Sequence, residues 1–383
     1  MTSGEKDGTE RLAWLSPGAR APARYVTADD RTTAASALAS IRGGATLIYR
    51  GDYRNARQLL AAMGRRLGQR SAHPPGAGGL RQAFQEERRR HRAEHEALSR
   101  LAVPVEAGPA GPRVALKNAP DVAAALTEAL GQPLPLPGAL PLRDLLGMIG
   151  AHEWRSKGVE VPSLGAHLRT RWGVFAPVRG EHVELTAEAA RRWPVAGKRA
   201  LDVGTGTGVL ALLLARAGAR VTATDLSPAA VECARENAVR LGLADRVEVV
   251  EADLYPEGRF DLVVCNPPWL PHEAVTPLDR AVYDPGGRFL ARFLDGLAAH
   301  LAPGGEGWLI LSDLAERLGL RAEGELERQL AGAGLEVAGG IEAAPRHPRS
   351  RDPDDPLHEA RSQEVTALRR LRARAGNPVA DPG

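Results

Sequence analysis

From residue 199 onward, short apolar runs alternate with stretches of helical period, and this alternation constrains the fold more than any other feature of the chain. Residues 199–203, 220–224, 247–251, 262–265 and 307–311 have strand length and β-rich composition. Helices are predicted over 208–217, 228–241 and 289–301. Strands alternating with helices of about 10–15 residues imply a parallel sheet with helices on both faces. Two more strands are expected near 335–341 and 364–371, with a polar loop rich in Arg, Asp and Pro (345–356) between them. The predicted fold class of residues 164–373 is therefore α/β, Rossmann-like and doubly wound, with a mostly parallel sheet.

The strongest local signal is LDVGTGTGVL, residues 201–210. A buried strand ends at Val203, and Gly204, Thr205, Gly206 and Gly208 turn the chain into a helix. Glycines there let a ligand lie against the backbone at a helix N-terminus. A dinucleotide fingerprint needs glycine at the next position, where this chain has Val209. Nor does that fingerprint call for an acid at Asp202. An acid two residues before the first glycine suits a ligand with a cationic amine, and the amino-acid end of S-adenosylmethionine (AdoMet) carries one.

Asp225 follows Gly204 by 21 positions, at the end of the next strand in VTATDLSP. An acid at that spacing accepts hydrogen bonds from the ribose hydroxyls of an adenosine. Ser227 and Pro228 then read as the cap and first residue of a helix. Asp253, ending the strand of VEVVEADLY, is the candidate acceptor for an adenine amine. Leu226 and Leu254, beside the two acids, complete the cofactor-binding candidates.

FDLVVCNPPWLP, residues 260–271, selects the chemistry. Asn266, Pro267, Pro268 and Trp269 follow an apolar strand directly. A planar amide or exocyclic amine is a poor nucleophile because its lone pair is delocalised. The side-chain oxygen of Asn266 and the carbonyl of Pro267 are suited to accept its two N–H bonds and aim the nitrogen at a sulfonium methyl, with Asn266 also at the cofactor edge. Two prolines stiffen the turn, and Trp269 offers a flat face for stacking. No metal is expected, because His152, His182 and His272 lack ligand spacing. Cys265 reads as a small core residue.

These motifs resemble the class I methyltransferases that carry an [ND]-P-P-[FYW] motif, a group spanning HemK-like protein-glutamine N5 methyltransferases and several rRNA, tRNA and DNA amino-methyltransferases. The resemblance covers residues from about 164 onward, roughly half the chain. It implies an AdoMet loop at Asp202, Gly204, Gly206 and Gly208, ribose at Asp225, adenine at Asp253, and the target nitrogen at Asn266 to Trp269. VFAPVRGEHVEL is similar to a HemK-like segment and implies Phe175, Pro177 and Glu181 on the substrate side. The activity implied is methyl transfer to a protein glutamine (N5), with an exocyclic base amine of rRNA or tRNA as the alternative. HemK-like motifs end in Tyr, where this chain has Trp269, and their N-terminal domain is shorter.

The rest of the chain is organised less legibly. Residues 1–30 read as a flexible tail, 31–163 as a mainly helical substrate-recognition domain, and 374–383 as a second tail. The formal charge of +3 divides into +9 over residues 1–196 and −6 beyond. Between residues 20 and 100, 16 arginines face 7 acids, a surplus suited to an anionic partner such as RNA, although an Arg-rich helix is commonly a solvated face. The expected partner is thus macromolecular, either a protein of the translation apparatus or RNA. With two distant cysteines, no apolar run of spanning length and a polar N-terminus, the expected location is the cytoplasm.

Overall fold

The computed structural model describes residues 12–17, 21–69, 79–177, 180–346 and 348–374. The chain divides into two units: residues up to 74 together with 86–153, and residues 75–85 together with 154–383.

The first unit contains β1 (Ala13–Trp14), β2 (Tyr25–Ala28), α1 (Ala34–Arg42), β3 (Thr46–Tyr49), α2 (Tyr53–Gln69), most of α3 (Gly79–Leu98), β4 (Leu101–Gly108), β5 (Gly111–Val114), α4 (Ala123–Leu130), β6 (Gly138–Pro141) and most of α5 (Leu142–Lys157). Helix outweighs strand, as expected, yet the unit is organised around a six-stranded sheet of order β1-β6-β4-β3-β2, with β5 on β4. This corrects the reading of a mainly helical domain, since a sheet and not a helical bundle forms its frame. Pro104 inside β4, and the prolines between residues 131 and 141, masked two paired strands. The tail expected over 1–30 is corrected as well. Trp14 and Ala13 pair with β6, and β2 pairs along its whole length with β3. Residues 1–11 and 18–20 lie outside the described residues, as do 375–383 of the C-terminal tail. Arg374 donates its N–H to the carbonyl of Gly334.

The second unit opens with an antiparallel pair, β7 (Val159–Val161) and β8 (Ala166–Leu168), then α6 (Glu181–Arg192). There follow β9 (Arg199–Val203), α7 (Val209–Arg216), β10 (Arg220–Asp225), α8 (Pro228–Arg240), β11 (Val247–Glu251), β12 (Phe260–Cys265), α9 (Arg288–His300) and β13 (Leu301–Ser312). The chain ends with α10 (Leu314–Arg317), α11 (Glu325–Gly332), β14 (Leu335–Ala343), α12 (His358–Ser362) and β15 (Thr366–Ala373). Seven strands lie in the order β11-β10-β9-β12-β13-β15-β14. All neighbouring pairs from β11 to β13 are parallel, and β15 runs antiparallel between β13 and β14. This is the doubly wound, mostly parallel sheet that the motifs imply.

The period of two along each strand divides the core between the two faces. Leu262, Val264, Trp308 and Ile310 join α7 and α8 on one side. Val263, Cys265, Leu309 and Leu311 join α9 and α11 on the other. Helix α7, apolar all round, has seven of its eight residues buried, as a helix inside a core must. Each of its fully buried leucines contributes roughly 1.5–3 kcal/mol. In α9 only Leu290, Phe293, Leu294 and Leu297 are buried, the spacing of a single inward stripe.

Strand β9 lies between β10 and β12, so the chain leaves it toward one edge and later returns to its other side. At such a reversal a crevice opens outside the carboxyl ends of the strands. Register sets Val203 opposite Cys265 and Thr224, so the residues following β9, β10 and β12 emerge together at that crevice. No described helix is long and apolar enough to cross a membrane.

Candidate active site

The glycine loop leaves β9 with Gly204, Gly206 and Gly208 at φ of +72°, +56° and +83°, where a side chain would be strained. Their reasons differ. A Cβ on Gly208 would come within 3.2 Å of the Ala234 Cβ, so this glycine allows α7 and α8 to approach. A Cβ on Gly206 would meet nothing within 4 Å, leaving the open face that a ligand lying on the loop requires.

Asp202 is 1% exposed, and its Oδ2 accepts from the Thr205 hydroxyl at 2.6 Å and the Ala211 N–H at 3.0 Å. It braces the turn from inside. Burial pushes its carboxyl up to about 6, partly opposed by those hydrogen bonds. A carboxyl whose folded pKa lies above its unfolded value favours the protonated folded state. Its stabilising contribution is complete below about pH 4 and is lost as the pH rises through about 6. Asp202→Asn keeps an oxygen for Thr205 and Ala211 but carries no charge. The melting temperature of this variant, relative to wild type without ligand, should therefore climb between pH 4 and pH 7 in thermal scans. Parallel pH profiles for the two proteins would contradict the assignment.

Asp225 ends β10 and joins the loop directly, its Oδ2 accepting from the Gly206 N–H at 3.0 Å. Its Oδ1 accepts from the Ser227 N–H at 2.9 Å, so the acid rather than the Ser227 hydroxyl tethers the start of α8. The expected Ser227 side-chain cap is thus corrected. Burial raises the Asp225 pKa against the pull of its backbone donors. Beside it Leu226 is 67% exposed, an apolar surface next to the acid. Leu254 has φ of +72°, a strained conformation for a leucine, and its carbonyl accepts from the Thr224 hydroxyl. Its side chain joins the core under α9. Asp253 is about half exposed, and both its oxygens accept from the Arg292 guanidinium, at 3.2 and 2.9 Å.

Past β12, Asn266 is half-buried and Pro267 buried. The Trp269 indole N–H donates to Asn266 Oδ1 at 3.0 Å, closing the turn on itself. Leu270 pairs with the segment ending at Tyr283, and the 5% exposed Asp284 accepts from the N–H groups of Phe289 and Leu290 at the start of α9. Phe289 in turn lies against Gly204, 3.5 Å from where its Cβ would stand. The asparagine turn and the glycine loop are thereby held at one end of the sheet.

The substrate-side candidates lie differently. Glu181, 5% exposed at the start of α6, accepts at Oε1 from the Arg346 N–H, a contact made across 165 positions. Pro177 is buried and Phe175 half-buried, and their neighbour Val174 packs on Ala230 and Cys233 of α8. Sequence reasoning missed Asn237, which is fully buried in α8. Its amide donates to the carbonyls of Thr207 and Arg169 and accepts from the Arg169 N–H. An asparagine in a helix interior, where its propensity is poor, was the available signal.

The residues present fit AdoMet. A glycine cradle open at Gly206, an acid at the next strand end, an exposed apolar residue beside it and a buried acid beneath the loop are the acceptors and surfaces that an aminoacyl adenosine requires.

Known proteins resemble this region. Residues 173–318 match the Methyltransferase small domain. This part of the chain has the class I methyltransferase fold. Among curated relatives, the release factor glutamine methyltransferase of Deinococcus radiodurans is 42% identical over 185 residues, covering 43% of this chain and 60% of that protein. The enzyme of the same description from Moorella thermoacetica is 39% identical over 143 residues, covering 36% and 50%. A ribosomal protein L11 methyltransferase from Symbiobacterium thermophilum is 36% identical over 138 residues, covering 31% and 45%. The chain thus spans between about half and three fifths of the relatives it matches best among these. Among solved structures, a ribosomal protein L11 methylase from Lactobacillus delbrueckii subsp. bulgaricus covers 50% of this chain and 77% of its own at 22% identity, with a TM-score of 0.36.

Proposed function

We propose that this protein is an AdoMet-dependent N-methyltransferase acting on the side-chain amide of a protein glutamine. The observation that carries the reading is the pairing of an asparagine-proline turn after β12 with an open glycine cradle after the adjacent strand β9. Asp225 would hold the ribose, Leu226 the adenine face, and the glycine loop the aminoacyl end, with Asp202 as the buried counter-charge. Bound AdoMet supplies a methyl group on a sulfonium, electrophilic enough that an amide nitrogen can attack it.

The chain's own task is orientation. Asn266 Oδ1 and the Pro267 carbonyl accept the two N–H bonds of the target amide, which turns its nitrogen toward the methyl carbon. Pro267 and Pro268 remove backbone freedom from that carbonyl, so little of the alignment is lost to motion. An amide nitrogen so held would take the methyl group as the carbon–sulfur electron pair returned to sulfur, S-adenosylhomocysteine being the leaving group. The surplus proton is lost from nitrogen after it has become acidic, so the turn needs no strong base. The choice of substrate follows the D. radiodurans and M. thermoacetica relatives, both of them release factor glutamine methyltransferases. Methylation of an exocyclic amine in rRNA or tRNA is the second reading, favoured by the +9 charge of residues 1–196.

The test is transfer of labelled methyl from AdoMet to a purified bacterial release factor, with peptide mapping of the modified residue. Label on glutamine supports the reading, and an unlabelled release factor contradicts it. The cofactor assignment has its own test. Asp225→Ala should weaken AdoMet binding by about 10- to 100-fold in calorimetry, the loss expected for hydrogen bonds to a charged acceptor. Wild-type affinity in that variant would overturn it.

A further inference from the structure

We infer that Trp269 is a positioning residue whose indole N–H sets the orientation of the Asn266 amide; this rests on the methyl-transfer reading above. The indole nitrogen only donates, whereas a carboxamide presents an accepting oxygen on one side and a donating NH₂ on the other. With Trp269 Nε1 at 3.0 Å from Asn266 Oδ1, the flipped amide would set two donors face to face. The amide torsion of asparagine is otherwise broad and nearly two-fold, so the backbone alone does not choose between the two arrangements. The carbonyl-type oxygen retains a second lone pair for the N–H of the target nitrogen. A flipped Asn266 would offer that nitrogen a competing donor instead.

The donor is itself held from several sides. Trp269 packs against the core beneath α9 and also against the cluster of Leu270, Leu314 and Leu318. Its carbonyl lies 3.4 Å from Arg321 Nη2, and that guanidinium, whose side chain is 5% exposed, pairs with Glu316 at 3.0 Å. The indole therefore meets Asn266 already ordered, at little further entropic cost. A phenylalanine at this position keeps the flat ring and has no such donor; a tyrosine carries its donor at the far end of the ring.

The test uses the full chain, methyl-labelled AdoMet and a purified release factor as acceptor. Trp269→Phe should lower kcat about tenfold, the loss of one ordinary hydrogen bond, with AdoMet affinity and acceptor KM unchanged. In an Asn266→Ala background the same substitution should cause no further loss, because the group it orients is gone. Multiplying losses in the double variant, or a wild-type kcat in Trp269→Phe, would overturn the inference. A second readout needs no turnover. In ¹⁵N-labelled protein the Trp269 indole cross-peak, identified by its disappearance in Trp269→Phe, should move upfield in proton shift in Asn266→Ala. An unmoved peak overturns the hydrogen bond. A wild-type protein that labels no release factor contradicts the glutamine reading instead, and the indole shift still decides the role of Trp269.

Discussion

Asn266→Ala should lower turnover about 10²-fold while leaving AdoMet affinity unchanged, the cost typical of a reacting group that is no longer held in line. The side chain is half-buried after β12, and its oxygen already accepts from Trp269, so its geometry is set before any acceptor arrives. Alanine removes that acceptor without touching the glycine loop, Asp202 or Asp225, whose hydrogen bonds run among themselves. The loss should therefore fall on kcat more than on cofactor binding, which a single-turnover assay and calorimetry measure separately. Full activity in this variant would remove the turn from the mechanism. A collapse of AdoMet binding would assign Asn266 mainly to the cofactor, where it also stood as a candidate.

The second large effect concerns Phe84, a residue far upstream in sequence. Gly79 to Gln85, the start of α3, belong to the same unit as the glycine loop and the asparagine turn. Phe84 is 2% exposed, clustered with Leu270, Leu314, Leu318 and Leu357, with its ring edge-to-face on His272 at 5.3 Å. Trp269, Val282 and Tyr283 pack against the same cluster. Phe84→Ala should destabilise this unit by about 3–5 kcal/mol, since a buried aromatic is replaced by a cavity. Its unfolding midpoint should drop by about 6–20 °C for a domain of this size. A fragment cut at residue 164, where the texture of the sequence changes, leaves Phe84 behind and exposes the leucines beside the asparagine turn. It should melt lower still and lose methyl transfer with its fold. Calorimetric scans that superimpose for wild type and Phe84→Ala would contradict this account of the cluster.

Strands β9, β12 and the second half of β13 were legible because a strand buried on both faces is mostly apolar, β10 and β11 because their apolar residues alternate with polar ones, and glycines at positive φ mark where the chain turns. Gly204, Asp225 and Asn266 were legible for a related reason: strand ends in one parallel sheet emerge at one edge. Contacts between distant residues left no such trace. Nothing local connects Glu181 to the Arg346 backbone, Asp253 to Arg292, or Phe84 to Leu270. The first unit was obscured by its own chemistry. Pro104 sits inside a paired strand, and β2 and β5, four residues long each, offer too few positions to show a period. Asp284 carries no local signal, since capping the start of α9 depends on how the chain folds back along Leu270.

The most direct test of methyl transfer to a macromolecular amide combines purified protein, methyl-labelled AdoMet and lysate from cells lacking the gene. The labelled material is divided between ribonuclease and protease. Protease should release the label and ribonuclease should not, with the modified peptide carrying N5-methylglutamine. Label released by ribonuclease would contradict the glutamine assignment and transfer the chemistry of Asn266 to a base amine. Label in neither fraction would contradict the macromolecular acceptor itself.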